Sequence, residues 1–116
     1  MSQFDNAGFD DLRNYIENNW NWLSLRDSSG SEVTRIDVNS DGRVSWSGSN
    51  SNPMTLSGTF TGGDGDIAQA TTYTEARLYK TSGSSTSMAS ESFTDATIEA
   101  SVDELTISID VEIPNL

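Results

Sequence analysis

The segment from Leu105 to Ile113 constrains the fold most, because apolar and polar residues alternate in it without a break. A period of two belongs to a β-strand with one face in a core and the other in water. Pro114 follows, and proline is typical of a strand end. The apolar set is Leu105, Ile107, Ile109, Val111 and Ile113, and the polar set is Thr106, Ser108, Asp110 and Glu112.

The same period recurs upstream between clusters of turn residues, spaced roughly every ten residues. Leu23 and Leu25 share one face of the first such segment, and Gly58 takes an inward position in another, where it predicts a bulge or a close backbone approach. Seven or eight short strands in this arrangement predict an all-β fold, an antiparallel β-sandwich or jelly roll. The segments are 20–25, 33–38, 44–46, 54–60, 73–79, 88–93 and 105–113, with Ile98 assigned to a possible further strand.

One stretch has the helical period instead. Phe9, Leu12, Ile16 and Trp20 form a single apolar stripe, which predicts a helix over 9–19 that docks across one end of the sandwich.

The length of 116 residues predicts a single domain. We divide it into an N-terminal arm over 1–8, the helix over 9–19 and the sandwich over 20–116. The N-terminus lacks the basic and apolar regions of a signal peptide, and no apolar run is long enough to span a membrane.

The composition argues against catalysis. The chain has neither cysteine nor histidine, which excludes disulfides, thiolate metal sites and the commonest general base. A serine–lysine pair would depend on Lys80 alone, and carboxylate pairs such as Asp103–Glu104 are expected by chance among so many acids. We therefore expect no enzyme and no required cofactor.

Eighteen acidic residues face six basic ones, which gives a net charge of -12. Such a charge repels the phosphate backbone and makes nucleic acid a poor partner. The composition fits disorder, an ordinary acidic surface or adaptation to high salt, in which salt screens the self-repulsion. The periodic strands argue against disorder, and the near absence of lysine favours salt adaptation.

The segment Asp37-x-Asn39-x-Asp41-Gly42 matches the first half of a calcium-binding loop. Its three side-chain oxygens are candidate ligands of a structural calcium ion. The twelfth loop position, where a bidentate glutamate belongs, is Gly48. The alternative is a hairpin turn, because Asn, Asp and Gly are the residues that such turns need.

A second acidic segment, Gly62-Gly63-Asp64-Gly65-Asp66, is a loop with high backbone freedom. Asp64 and Asp66 are candidates for a second cation site, and a surface turn is the alternative. Two negative charges and no lysine rule out a phosphate-binding loop.

Five aromatic residues fall on predicted strands or beside them. They fit three roles: packing in the core, an exposed protein interface, or a platform that stacks on sugar rings. The five are Trp20, Trp22, Trp46, Tyr73 and Tyr79.

The order of these signals, from about residue 9 onward, resembles that of small β-sandwich virion structural proteins of tailed viruses. The resemblance rests on pattern and contains no catalytic motif. It implies a head decoration, turret, neck or tail component, and the acidic composition then implies a haloarchaeal virus. The matching segments are 22–25 (Trp-Leu-Ser-Leu) after a helix, 30–35 (Gly-Ser-Glu-Val-Thr-Arg), 53–58 (Pro-Met-Thr-Leu-Ser-Gly), 76–79 (Ala-Arg-Leu-Tyr), 89–93 (Ala-Ser-Glu-Ser-Phe) and 103–109 (Asp-Glu-Leu-Thr-Ile-Ser-Ile).

The resulting hypothesis is a structural protein of the virion that assembles with copies of itself and with capsid or tail proteins. Phe9, Leu12, Ile16 and Trp20 are the predicted docking or interface residues, and the flexible segment 81–87 is the predicted outward tip, above all 83–87. The alternatives are a small calcium-assisted carbohydrate-binding or adhesion module of a halophile, with an exposed Trp46 or Tyr79 beside Asp37, and a subunit of a surface appendage.

Overall fold

The computed structural model describes residues 4–48 and 53–113. Within them lie one helix and seven strands. No helix in this part of the chain is long and apolar enough to cross a membrane. The elements are α1 (Asn6–Asn19), β1 (Trp22–Asp27), β2 (Glu32–Asp37), β3 (Val44–Trp46), β4 (Met54–Thr61), β5 (Thr71–Tyr79), β6 (Ala89–Ile98) and β7 (Glu104–Val111).

The strands form two antiparallel sheets. The first has the order β2-β1-β5-β6, and the second has the order β3-β4-β7. This architecture confirms the prediction of a small all-β sandwich with one short N-terminal helix.

The alternation of buried and exposed side chains along the strands places the core between the two sheets. In β4 and β7 every second side chain is buried, and Leu56 pairs in register with Ile109. Gly58 takes an inward position of β4, and a Cβ atom there would lie 3.0 Å from the carbonyl oxygen of Arg43. The predicted close backbone approach at this glycine is confirmed. The buried core is Leu23, Leu25, Ile36, Val38, Val44, Leu56, Phe60, Ile67, Tyr73, Ala76, Leu78, Ile98, Leu105, Ile107 and Ile109.

An irregularity in β5 decides the direction of one aromatic side chain. Arg26 of β1 pairs with Glu75, but Asp27 pairs with Tyr73, so Thr74 is an extra residue. A bulge of this kind shifts the alternation by one position. Tyr73 therefore lies in the core, and its hydroxyl donates to the carbonyl oxygen of Ala68 at 3.0 Å.

Two strand predictions need correction. The separate short strands predicted over 88–93 and at Ile98 are one strand, β6, because it continues past an irregularity opposite the β5 bulge. The last strand ends at Val111 rather than at Ile113. Pro114 lies outside the described residues.

The helix begins at Asn6, three residues before the predicted start, so part of the predicted arm is helical. Asp5 is its N-cap, and the carbonyl oxygen of Asp5 accepts from the backbone N–H of Phe9 at 3.1 Å. The apolar stripe that predicted the helix starts only at Phe9, so the prediction placed the start of the helix three residues too late. The predicted end at Asn19 is confirmed.

The turn between Asp37 and Arg43 connects the two sheets. β2 pairs with β1 in the first sheet, whereas β3 pairs with β4 in the second. The interpretation of this segment as a hairpin is therefore wrong. Turn residues specify a reversal of direction, but not the partner that the next strand will find.

Candidate functional site

Arg43 brings together the two acidic segments that the sequence singled out. Its Nε donates to Oδ1 of Asp41 at 2.9 Å, and its Nη1 donates to Oδ2 of Asp64 at 3.1 Å. Both Nη atoms donate to the carboxylate of Asp66 at 2.8 Å, a bidentate pair. The guanidinium carbon lies 4.8 Å from the centroid of the Phe60 ring. The guanidinium of Arg43 thus pairs with three carboxylates and joins the β2–β3 turn to the loop after β4.

The arrangement stabilises the charged forms of all four groups. Hydrogen bonds from Arg43 hold the pKa values of Asp41 and Asp66 below their ordinary range. The backbone N–H of Thr61, followed by Arg43, lowers the pKa of Asp64. The three carboxylates in turn raise the pKa of Arg43, with Asp66 as the largest cause. The cluster is therefore an ion-pair network at neutral pH.

Two of the three predicted calcium ligands, Asp37 and Asp41, accept from protein donors. Oδ1 of Asp37 accepts from the backbone N–H of Asn39 at 3.0 Å, which is an Asx turn. A cation at Asp41 would have to displace Arg43. Residues 4–48 and 53–113 contain no cluster of three or more acidic, histidine or cysteine side chains suited to a metal. Calcium binding by Asp37, Asn39 and Asp41 stays a prediction.

A second group of arginines covers the outer face of the first sheet. The guanidinium carbon of Arg35 lies 3.7 Å from the centroid of the Tyr79 ring, and Nη2 of Arg26 donates to the Tyr79 hydroxyl at 2.7 Å. Tyr79 is consequently 1% exposed although it lies on the outer face. It is not the exposed aromatic residue that the carbohydrate hypothesis required.

Arg35 also holds the segment predicted to be a flexible tip. Its Nη1 donates to the carbonyl oxygens of Thr81, Ser82 and Ser84, at 3.4, 3.2 and 2.7 Å. The first half of the segment 81–87 is thereby tied to β2, and the outward role of 83–87 stays a prediction.

The five candidate aromatic residues do not form one platform. Tyr73 lies in the core and Tyr79 lies under arginines, while Trp22 is half-buried and pairs in register with Tyr79. Trp20 and Trp46 pack against the core from its margin and keep part of their surface exposed. Core packing therefore accounts for Tyr73 and in part for Trp20 and Trp46, whereas Trp22 and Tyr79 lie on the outer face of the first sheet.

An open cleft of about 330 Å³ lies between the end of α1, the β2–β3 turn and β3. Trp46 lines it, and its Nε1 donates to Oδ1 of Asn21 at 3.3 Å. Asn21 is 3% exposed, and its backbone oxygen accepts from Val38 at 2.9 Å. Its Nδ2 has no hydrogen-bond partner within the described residues, which typically costs about 1–3 kcal/mol. The lining residues are Glu17, Asn18, Asn21, Val38, Asn39, Val44, Ser45 and Trp46.

The predicted interface residues fall into two groups. Phe9 and Ile16 are buried within the chain and Trp20 is half-buried, whereas Leu12 is 39% exposed. Two further aromatic residues, Phe4 and Tyr15, are 58% and 48% exposed near Leu12 in sequence. We call Phe4, Leu12 and Tyr15 the outer helix row. Sequence reasoning missed Phe4 and Tyr15, because the period of the inner stripe does not include them.

Arg43 and Asn21 are the other residues that sequence reasoning missed. Neither belongs to a motif, and their partners are distant in the chain. The only signal for Arg43 is that a basic residue directly follows Asp41-Gly42 in a chain with few bases.

No protein-family model, curated protein or solved structure matches this chain. The class of protein is therefore given by the fold, which is a small, acidic, all-β sandwich with one short N-terminal helix.

Proposed function

We propose that this chain is a non-enzymatic structural component of a virion, from a haloarchaeal virus. In this role it decorates the capsid as a turret or spike, or forms part of the neck or tail. It assembles as a homo-oligomer in contact with capsid or tail proteins. The proposal is supported by the resemblance in sequence pattern and by a fold with two sheets, whose edge strands offer surfaces for symmetric contacts.

The outer helix row is the observation that carries the assembly part of the proposal. Leu12 and Tyr15 lie three residues apart and share one side of α1, and Phe4 precedes the helix with its ring centroid 5.5 Å from that of Phe9. Large apolar side chains left exposed on a helix and just before it are typical of a protein contact. A second copy is the simplest occupant, because two such rows packed about a two-fold axis cover each other.

High salt is the setting in which this contact forms. Asp10 and Asp11 lie on the same helix, so copies at a net charge of -12 repel each other in dilute buffer. Molar salt shortens the screening length to about 3 Å and removes most of that repulsion. Assembly through the outer helix row therefore strengthens with ionic strength.

The test is the mass of the full chain in solution, measured by light scattering in molar KCl. We expect an oligomer that Phe4→Gln with Leu12→Gln converts to monomer. The matched control is Val102→Gln, which removes an apolar side chain that is 82% exposed on the β6–β7 turn. A monomer at every salt concentration, together with the absence of the chain from purified virus particles, would overturn the proposal.

A carbohydrate-binding or adhesion module is the second candidate. The favouring observation is the half-buried Trp46 in an open cleft that Asn39 of the Asp37 turn also lines. Sugar sites combine an aromatic ring with converging amide and hydroxyl groups.

A further inference from the structure

We infer that the cleft beside Trp46 binds one neutral hexose unit of a glycan. This inference deepens the second candidate function and does not depend on assembly of the chain. It rests on the size of the cleft, the chemistry of its lining and the aromatic ring that Asn21 holds in place.

The volume limits the ligand to a small one. About 330 Å³ is at the low end of the range found for small-molecule sites, roughly 300–1,000 Å³. The cleft is open to solvent, so the rest of a glycan has room to extend away from it. A single ring at the end of a chain fits this geometry.

The lining selects for hydroxyl groups. Asn39 and Ser45 present an amide and a hydroxyl, which both donate and accept hydrogen bonds, as sugar hydroxyls do. The amide nitrogen of Asn18 is bonded to Asn14, so Asn18 offers its Oδ1 as an acceptor. Glu17 adds an acceptor, and Trp46 adds an aromatic surface for the apolar face of a pyranose ring.

The charge of the cleft excludes anionic sugars. Glu17 is its one charged lining residue within the described part of the chain. The net charge of -12 adds a general repulsion of anions. The preferred ligand is therefore a neutral hexose rather than a uronic or sialic acid.

Asn21 fixes the position of the Trp46 ring. Its Oδ1 is taken by the indole N–H of Trp46, so the orientation of the amide is fixed. Its Nδ2 has no hydrogen-bond acceptor among the described residues, and the residue as a whole is only 3% exposed. That atom is closed to solvent, so the ligand contacts the rest of the lining and not Nδ2.

The experiment is a titration of the ¹⁵N-labelled full chain, followed by the indole N–H signals of its tryptophans. The probes are the methyl glycosides of glucose, galactose, mannose and N-acetylglucosamine, with methyl glucuronide and tetramethylammonium as charged comparisons. We expect at least one neutral glycoside to shift the Trp46 signal saturably, with a dissociation constant on the order of 1–10 mM. The Trp22 signal should not move.

Two variants and one control assign the binding to the cleft. Trp46→Phe and Asn39→Ala should each weaken binding by a factor on the order of ten. Asn39 is exposed, so its truncation tests the cleft even if Trp46→Phe fails to fold. Trp22→Phe, the matched control, should bind as the wild type does.

Four results would overturn the inference: no saturable shift with any neutral glycoside, equal shifts at Trp22 and Trp46, unchanged affinity in both cleft variants, or binding of tetramethylammonium in place of the sugars. A monomeric protein that binds the glycoside would overturn assembly and leave this inference standing. An oligomeric protein that binds none of the glycosides would overturn this inference and leave the assembly proposal standing.

Discussion

Space rather than backbone angle requires glycine at position 62. A Cβ atom there would lie 2.2 Å from the carbonyl oxygen of Ala100 and 2.9 Å from Cγ2 of Ile98. The backbone N–H of Gly62 also donates to the carbonyl oxygen of Asp103 at 3.0 Å. The loop after β4 and the β6–β7 turn are thus in backbone contact, which the presence of glycines in the sequence alone does not reveal.

Gly62→Ala should lower the free energy of unfolding by about 2–3 kcal/mol, because the carbonyl of Ala100 has to move to admit the new methyl group. Urea denaturation of the purified variant measures this change. Gly65→Ala is the control in the same loop: nothing lies within 4 Å of its Cβ position, so the change should stay within about 0.5 kcal/mol. Equal effects of the two substitutions would contradict the packing argument.

At the scale of elements, arginine side chains hold loops to other parts of the fold, Arg43 by ion pairs and Arg35 by hydrogen bonds to backbone carbonyls. Arg43 joins the β2–β3 turn to the loop after β4, and Arg35 joins β2 to the segment after β5. Both arginines are surrounded by acceptors that come from distant parts of the chain. Sequence reasoning identified Asp41, Asp64 and Asp66 as acidic positions but assigned them to two separate sites.

Arg43→Met should weaken the fold by about 1 kcal/mol at neutral pH and flatten its response to acid. Because the folded-state pKa values of Asp41, Asp64 and Asp66 lie below their unfolded values, the stabilisation is present above about pH 4 and is lost as the pH falls through the folded values. Without the guanidinium, the folded-state pKa values of these three aspartates rise towards their unfolded values. Acid then removes less of the free energy of unfolding. Denaturation at a series of pH values from neutral to acid measures the slope.

The control for this prediction is Arg77→Met, which removes the same charge from a separate pair with Glu75 on the first sheet. This variant retains the Arg43 cluster, so its free energy of unfolding should fall with acid at the same slope as that of the wild type. If the free energy of unfolding fell with pH at the same slope in the wild type and in Arg43→Met, the Arg43 cluster would contribute nothing to the acid response.

For the whole molecule, the excess of acid is the dominant electrostatic fact. Arg13, Arg35, Arg43 and Arg77 are each paired with acidic side chains, and Lys80 donates to the hydroxyl of Tyr15 at 2.9 Å. The few bases are therefore already used within the fold. Most of the eighteen carboxylates face the solvent without a compensating charge.

Thermal unfolding should move to higher temperature in molar KCl than in dilute buffer, because salt screens the repulsion among these carboxylates. Calorimetry in the two buffers measures the shift. A charge-reduced variant, with Asp95→Asn, Glu99→Gln and Glu104→Gln at exposed positions, should show a smaller salt effect. A melting temperature independent of salt in the wild type would remove the case for salt adaptation.

The sequence by itself determined the strands and the sandwich, because a period of two along β4 and β7 states locally which side chains are buried. It also determined the charge and the absence of cysteine and histidine chemistry. Only the tertiary structure decided that the β2–β3 turn crosses between sheets, that Tyr73 points inward past a bulge, and that Arg43 gathers the acids of two loops. The same holds for the cleft, where Asn21 and Trp46 meet across 25 residues of sequence. Strand periodicity is a local property, whereas the meeting of loops depends on how the two sheets pack, which no short segment encodes.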